Sequence, residues 1–404
     1  MLTKKIWLWL SLHFGAGSGI YKKLLSHFET VEAIYDCDDS DVSLISWLDN
    51  GQKRKLLDKN LDHAQEIIEW CEYYDVSIVT PSDEDYPQPL RNIVDFPAAL
   101  YYKGTLPDFE KELCISVVGT RKLTMEGQRN AYNLGYGLAK GGAIVVSGMA
   151  KGIDGVSQKG ALYAGGTSVA VLGCGIDVVY PREHYSLMDK LMKVGAVITE
   201  YPPNTPPNGY NFPIRNRIIS ALSVATVVVE ADLNSGALIT ARRAIEQGKD
   251  LFAYPGPVNS FSSKGTNQLI KDGANVATEA IDILEQYMDK YPNINLSASK
   301  ERPVIKSKSA EQSSDSTGTS EVSFSFKVKN KTPKENIENA QRFNTELLSE
   351  NEKIVYNAMD FDSPNSIESL TKLDISVSEL TSTITMLEIK GAIKSAPGGF
   401  YIKK

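Results

Sequence analysis

The chain has 404 residues, of which 42% are hydrophobic and 23% are charged, and its formal net charge at pH 7 is -7. This length allows two or three domains, and the composition is that of a globular protein. Because the overall charge is negative, any nucleic-acid surface must be a local basic patch. The four cysteines and four histidines are scattered, so the sequence predicts reduced thiols, no metal site and a cytoplasmic location.

Residues 1–70 are predicted to form a small helical domain. The apolar run 6–10 follows two lysines like the core of a signal peptide, but it is too short, and we interpret it as an amphipathic helix. No stretch approaches the roughly twenty apolar residues that span a bilayer, so no membrane partner is expected. The glycines of residues 14–19 fit either a helix-hairpin-helix element, whose turn amides meet a DNA backbone, or a plain turn between helices.

Residues 71–290 alternate short β-rich runs with helical ones. Continuous apolar strands separated by helices predict a parallel sheet that is buried on both faces. The region is therefore predicted to be a doubly wound α/β domain. The predicted strands are 76–79, 114–118, 143–146, 168–172, 196–199, 225–229 and 251–254.

Small residues follow several of these strands, at the edge of the sheet where ligands bind in such folds. Glycine there lets a ligand approach the backbone closely, although each glycine alone could simply close a tight turn. These positions are Gly119, Thr120 and Arg121, then Ser147 and Gly148, Gly173, Cys174 and Gly175, Ser235 and Gly236, and Pro255 and Gly256.

A helix is predicted to begin near Pro213, with Arg215 and Arg217 in its first turn. Cations are unfavourable at the amino end of a helix, whose dipole and free amides instead attract anions. The pattern therefore indicates a phosphate-binding site. Since residues two apart do not face the same way, the alternative is that one arginine pairs with Glu200 or Glu230.

The remaining chain divides into a linker and a small domain. Residues 291–345 are rich in small polar and charged side chains, which predicts a flexible linker. Residues 346–404 are predicted to hold a helix with a capping box at its start, a helix around 367–370, a helix over 378–390 and a hairpin. This order favours a winged-helix domain.

The third helix of this tail carries two acidic residues, Glu379 and Glu388, and one basic residue, Lys390, a charge balance that is unfavourable for binding phosphates. The tail is therefore as compatible with binding a partner, or with a structural role, as with binding DNA. A transcriptional regulator that acts through the tail is a weaker alternative for the whole protein.

Several enzyme signatures are missing from the sequence. Gly119-Thr120-Arg121 is not a dinucleotide fingerprint, no Walker-type lysine occurs, and Ser147 has no histidine base nearby in the sequence. What the motifs resemble, in the same order along residues 80–285, is the DNA-processing protein A family (DprA, also called Smf). The resemblance is carried by residues 118–121, 147–154, 170–173, 211–220, 235–242, 255–257 and 265–267.

The resemblance implies a non-enzymatic protein without a cofactor, which binds and protects incoming single-stranded DNA and loads the RecA recombinase during natural transformation. It also implies an extended Rossmann-like domain between a helical head and a winged-helix tail. Two positions depart from the family pattern: Lys151 stands where arginine is frequent, and Gln158 stands where histidine is frequent. The resemblance, together with the small residues that follow the predicted strands, gives the expected DNA-binding residues. These are Gly119, Thr120, Arg121, Ser147, Gly148, Lys151, Phe212, Arg215, Asn216, Arg217, Ser235 and Gly236.

The resemblance further implies a homodimer, with an interface at Asn267, Ile270 and Val276. The rival hypothesis is a nucleotide-binding enzyme of the phosphoribohydrolase type, which shares this kind of Rossmann-like domain. Those enzymes carry a Pro-Gly-Gly-x-Gly-Thr loop followed by a glutamate, and Pro255-Gly256-Pro257 does not reproduce that loop. Release of free base from AMP would favour the enzyme.

Overall fold

The computed structural model describes residues 2–302, 348–359, 365–366, 376–390, 392–396 and 400–403. The chain divides into two compact units, Met1–Ser309 and Ala310–Lys404. None of the helices in the described ranges is long and apolar enough to cross a membrane.

The first unit begins with six helices, and side-chain caps mark the starts of three of them, α3, α4 and α5. Thr30, Asp38 and Asp49 each accept a hydrogen bond from a backbone amide of the following turn. The helices are α1 (Leu2–Phe14), α2 (Ile20–Phe28), α3 (Val31–Asp36), α4 (Asp39–Ser43), α5 (Asn50–Leu57) and α6 (Asp62–Tyr73).

These helices share one hydrophobic core with the sheet that follows. Trp9 and Leu10 of α1 are fully buried, in the same cluster as Val118 and Ile198 of the sheet. The helical region predicted for residues 1–70 therefore folds against the α/β region as part of one compact unit.

The nine strands of the large sheet lie in the order β1-β2-β6-β5-β4-β3-β7-β8-β9. The pairs from β6 to β9 are all parallel, whereas β2 pairs antiparallel with both β6 and β1. The strands are β1 (Ser77–Val79), β2 (Leu100–Gly104), β3 (Cys114–Val118), β4 (Ile144–Ser147), β5 (Ser168–Leu172), β6 (Ala196–Thr199), β7 (Ala225–Val228), β8 (Asp250–Ala253) and β9 (Asn275–Val276).

Helices cover both faces of this sheet. Val117 packs with Ala131 in one cluster, and the adjacent Val118 packs with Ile218 in another, as the alternation of side chains along a strand requires. The helices are α7 (Gln88–Arg91), α8 (Met125–Lys140), α9 (Ile153–Tyr163), α10 (Tyr185–Val194), α11 (Asn211–Ala221), α12 (Ala237–Glu246), α13 (Lys264–Lys271), α14 (Ile281–Leu284) and α15 (Leu296–Ser299).

The predicted doubly wound α/β fold is confirmed, with two differences. The first predicted strand, β1, joins the parallel strands only through the antiparallel strand β2, which the sequence did not indicate because it ends in polar residues. The prediction of a flexible linker from residue 291 is wrong for its first part. Tyr291 is buried against the sheet domain, and the Asn295 amide donates to the Gly141 carbonyl at 3.0 Å.

The second unit contains α16 (Glu350–Ala358), β10 (Asn365–Ser366), α17 (Val377–Ile389), β11 (Ile393–Ala396) and β12 (Phe400–Lys403). The strands form a small sheet in the order β10-β12-β11. Ser349 and Glu352 make the predicted capping box, and Lys390 contacts Glu352 at 2.6 Å. The helix predicted around 367–370 lies outside the described residues.

The shared core of the first unit predicts cooperative unfolding. The tryptophans report on the helices because they occupy positions 7, 9, 47 and 70. In a urea titration, we expect tryptophan fluorescence and the amide-exchange protection of β3 and β5 to be lost at the same denaturant concentration. Leu10→Ala should lower the free energy of unfolding by about 2–5 kcal/mol, so both transitions should move together to a lower urea concentration. A fluorescence transition that precedes the loss of strand protection would contradict the shared core.

Candidate nucleic-acid interface

The candidate site lies at the carboxyl edge of the parallel strands, where the chain reverses its direction of winding. Strands β4, β5 and β6 follow β3 on one side, and β7, β8 and β9 lie on the other. Ligands of doubly wound sheets bind at such a switch point. The loops after β3 and β7 meet there, because the Thr120 amide donates to the Glu230 carbonyl at 2.7 Å. We call the edge formed by residues 119–122, 148–152, 232–236 and 255–264 the rim; residues 148–150 of this set are buried, and Arg121 and Lys151 are among its exposed members.

Phe212 is the aromatic centre of this site. Its ring lies against Gly173, where a Cβ atom would be only 2.9 Å from the ring, so glycine is needed for this contact. The Tyr180 ring packs beside it at 5.3 Å between centroids. The guanidinium groups of Arg121 and Arg215 lie 5.0 Å and 5.7 Å from the ring centroid, within the range of cation–π attraction.

Arg215 reaches the site from inside the fold. It is buried, and its Nη1 atom donates to the carbonyl oxygens of Gly148, at 2.9 Å, and of Val171. Burial lowers the pKa of Arg215 to about 10, so the side chain remains charged at neutral pH. The positive charge therefore sits directly behind the rim.

Asp154 is the buried counter-charge of Arg215. Its Oδ2 atom accepts a hydrogen bond from the Gly148 amide at 3.1 Å. Burial raises the pKa of Asp154, and the charge of Arg215 opposes that shift. A Cβ atom at position 148 would lie 2.6 Å from both Arg215 and Asp154, so Gly148 is what allows the two charged groups and the loop to pack together.

Arg217 belongs to a separate buried network. Its Nη2 atom donates to both carboxylate oxygens of Glu200 at 2.8 Å, and its Nε atom donates to the Asp95 carbonyl at 2.9 Å. Burial works to lower the pKa of Arg217, but the carboxylates of Glu200 and Asp95 outweigh it and hold that pKa above its ordinary value. The alternative that one arginine pairs with Glu200 is confirmed, and that arginine is Arg217.

The same network explains the glycine turn near the start of the chain. The Gly17 amide donates to Glu200 at 3.2 Å, and Gly17 adopts a positive φ of 70°, which favours glycine. This amide is therefore engaged inside the fold, as in a plain turn between helices, rather than presented to a DNA backbone.

Two further acidic and polar groups of the site also have internal roles. Glu230 accepts a hydrogen bond from the Thr124 amide at 3.0 Å and so stabilises the amino end of α8. It does not pair with Arg215 or Arg217. Ser147, expected at the DNA-binding surface, is fully buried and donates to the Val117 carbonyl at 2.6 Å, so it supports the rim from within.

The remaining expected residues lie at or near the surface. Arg121, Lys151 and Gly236 are exposed, whereas Gly119, Thr120, Asn216 and Ser235 are half-buried. Lys151 contacts Glu183 at 2.6 Å, and the Asn216 side chain accepts from Arg215 Nε at 3.3 Å. Sequence reasoning missed Asp154 and Tyr180. Asp154 stands at the end of the motif 147–154, but its pairing depends on loops that are distant in the sequence.

A sheet of this topology, covered on both faces and carrying a basic, glycine-lined rim, defines an extended Rossmann-like α/β protein. The family model described as DNA recombination-mediator protein A matches residues 77–288, which is more than half of the chain. The protein therefore belongs to the DNA recombination-mediator protein A family, and the resemblance stated above is confirmed.

Individual relatives agree with this assignment. Protein Smf of Escherichia coli is 43% identical over 217 residues, which cover 54% of this chain and 58% of that protein. The DNA processing protein DprA of Streptococcus pneumoniae is 38% identical over 227 residues, which cover 56% of this chain and 79% of that protein. The X-ray structure of DNA processing protein A from Streptococcus pneumoniae matches with a TM-score of 0.59 at 34% identity, and covers 67% of this chain and 93% of that chain.

The buried position of Arg217 predicts a large effect on stability. Arg217→Met leaves Glu200 as an unpaired buried charge, which should lower the free energy of unfolding by about 3–5 kcal/mol in urea denaturation. The double variant Arg217→Met/Glu200→Leu should recover part of this loss. The control is Lys193→Met, which removes an exposed ion pair with Asp189 and should cost less than about 1 kcal/mol. Equal losses for the two single variants would contradict the assigned role.

Proposed function

We propose that the rim binds single-stranded DNA without catalysing a reaction, and that the protein protects this strand and delivers it to the RecA recombinase. The observation that carries the proposal is the stacking of the exposed Arg121 over Phe212, in front of the buried cation Arg215. The family's description as a recombination mediator supports the same conclusion.

The contacts suit a ligand that is recognised by its backbone. Arg121 can pair with a phosphate from the surface, while the buried Arg215 adds a fixed positive potential behind it. The Phe212 ring is buried, so a base reaches its face only when Arg121 moves off the ring and onto a phosphate. An unpaired base presents such a face, so single strands should bind more tightly than duplex.

The chemistry of the buried acid favours binding over catalysis. The Asp154 carboxylate is held by the Gly148 amide and lies beside Arg215. It therefore serves as a structural counter-charge rather than as an acid or base placed against a ligand. The binding protein is accordingly preferred to the enzyme of the phosphoribohydrolase type.

Salt-titrated binding of single-stranded oligonucleotides tests the proposal. Arg121→Ala should weaken the binding of all sequences alike and flatten the plot of log K against log salt by about 0.7 for each lost phosphate contact. Phe212→Ala should weaken binding with little change in that slope, because stacking releases no counterions. Arg54→Ala removes an exposed arginine from α5 and is the matched control. If Arg121→Ala binds with the affinity and slope of the wild type, DNA does not bind at this rim.

We also propose a homodimer formed at the edge of the large sheet. Strand β9 lies at the edge of the described sheet, where it pairs with β8, and its Val276 is 51% exposed. An open strand edge beside an apolar side chain suits pairing with a second copy. Ile270, half-buried on the neighbouring helix α13, would extend this contact. Asn267 contributes less directly, since its side chain is bonded to Gly256.

Light scattering tests the dimer. Ile270→Glu places a charge beside the proposed contact and should yield a folded monomer at concentrations where the wild type is dimeric. Val194→Glu, at an exposed position at the end of α10, is the control for the added charge. A well-folded Ile270→Glu variant with the mass of the wild type would remove this interface.

A further inference from the structure

The loop after β8 exposes an aromatic ring that the site described above does not use. Phe261 is 76% exposed, and the Nζ atom of Lys264 lies 4.2 Å from its ring centroid. This arrangement repeats that of Arg121 over Phe212, where the cation lies 5.0 Å from the ring centroid. Phe212 and Phe261 are therefore two aromatic rings near the same sheet edge, and each has a cation over its face.

The loop that holds Phe261 has a defined conformation. The Asn267 side chain donates to the Gly256 carbonyl at 3.0 Å and accepts from the Gly256 amide at 3.1 Å. The hydroxyl groups of Ser260 and Ser262, on either side of Phe261, lie 2.9 Å apart. Hydrogen bonds therefore hold the loop that carries the exposed ring, which lowers the entropy cost of ordering this loop on binding.

Hydrogen bonds connect this loop to the candidate site. Thr120 is bonded to Glu230 at 2.7 Å, and the Gly265 amide donates to the Ala231 carbonyl at 2.8 Å. The loops after β3, β7 and β8 therefore form a continuous edge. The Phe212 ring lies against Gly173, after β5, and β5 is four strand spacings from β8. Since neighbouring strands are about 4.8 Å apart, the two rings are separated by about 19 Å along the edge, a distance that a short run of nucleotides can cover.

The positive charges beside Phe212 and beside Phe261 both favour a ligand that carries phosphate. Lys264 is the first residue of α13, where a cation is opposed by the helix dipole. At the other pair, Arg215 lies beyond the first turn of α11, and its buried guanidinium supplies the positive charge beside Phe212. A phosphate near Lys264 would offset this repulsion, and a base would cover the apolar face of Phe261.

We propose that Phe261 and Lys264 form a second stacking and phosphate subsite for the same single strand, which then runs along the rim from β3 across β7 to β8. This inference rests on the proposed function, because it extends the DNA path that begins at Arg121 and Phe212. Val258, exposed on the same loop, adds apolar surface beside the second ring.

A length series of oligothymidylates tests the second subsite on the full chain. Short oligomers occupy the Phe212 site alone, so Phe261→Ala should bind them as the wild type does. Above a threshold length, Phe261→Ala should bind about tenfold more weakly, within the range for loss of one stacked base, and Phe261→Trp should restore the affinity. Phe212→Ala should weaken binding at every length. Tyr73→Ala removes an 82% exposed ring from α6 and is the matched control.

Lys264→Gln should flatten the salt dependence by about 0.7 for long oligomers only. The proposal is overturned if Phe261→Ala binds every length like the wild type while the wild type itself binds tightly, and the proposed function then still stands. It is also overturned if the loss of affinity accompanies dissociation of an oligomer in light scattering, since the ring would then be a protein–protein contact. If the wild type binds no single strand at any length, the proposed function fails as well.

Discussion

The buried ion pair between Arg217 and Glu200 is the interaction on which the rest of the site depends. The pair joins α11 to the end of β6. Asp95, in the loop before β2, and the Gly17 amide, in the turn between α1 and α2, are bonded to the same pair. Burying two charges is costly, and the cost is offset here because both carboxylate oxygens and most guanidinium donors are satisfied. The pair orients α11, and α11 in turn presents Phe212 and Arg215 to the rim.

Around this pair, glycines allow loop backbones to pack closely against the side chains of the site. Gly148 lets the loop after β4 lie against Arg215 and Asp154, and Gly173 lets the loop after β5 lie against the Phe212 ring. A side chain at either position would overlap its neighbours. The rim is therefore formed by several loops that pack together, and buried atoms behind it set the positions of its charged groups.

The protein is acidic overall, but its local positive charge at the rim suits the anionic ligand that we propose. The net charge of -7 acts over long distances and is screened at physiological salt, where the Debye length is about 8 Å. Arg215, held in the low-dielectric interior behind the exposed Arg121, acts locally and is screened much less. The proposed phosphate contacts are thus confined to one edge of one sheet, which suits a strand that follows that edge.

Local patterns in the sequence determined the fold class. Apolar runs of strand length between helical segments predicted the doubly wound sheet, because that signal needs only the period of burial along the chain. The sequence predicted a helix from Pro213 with Arg215 and Arg217 in its first turn, but α11 begins at Asn211, so both arginines lie beyond that turn. The family motifs named the residues around them. Only the tertiary structure decided what each arginine does. Arg215 and Arg217 are two residues apart and chemically identical, yet one lies behind the rim and the other closes a network with Glu200. The antiparallel strand β2, the counter-charge Asp154 and the ring of Tyr180 were likewise decided by contacts between segments far apart in the chain. Such contacts leave no periodic pattern in the local sequence, because they form only when distant segments pack together.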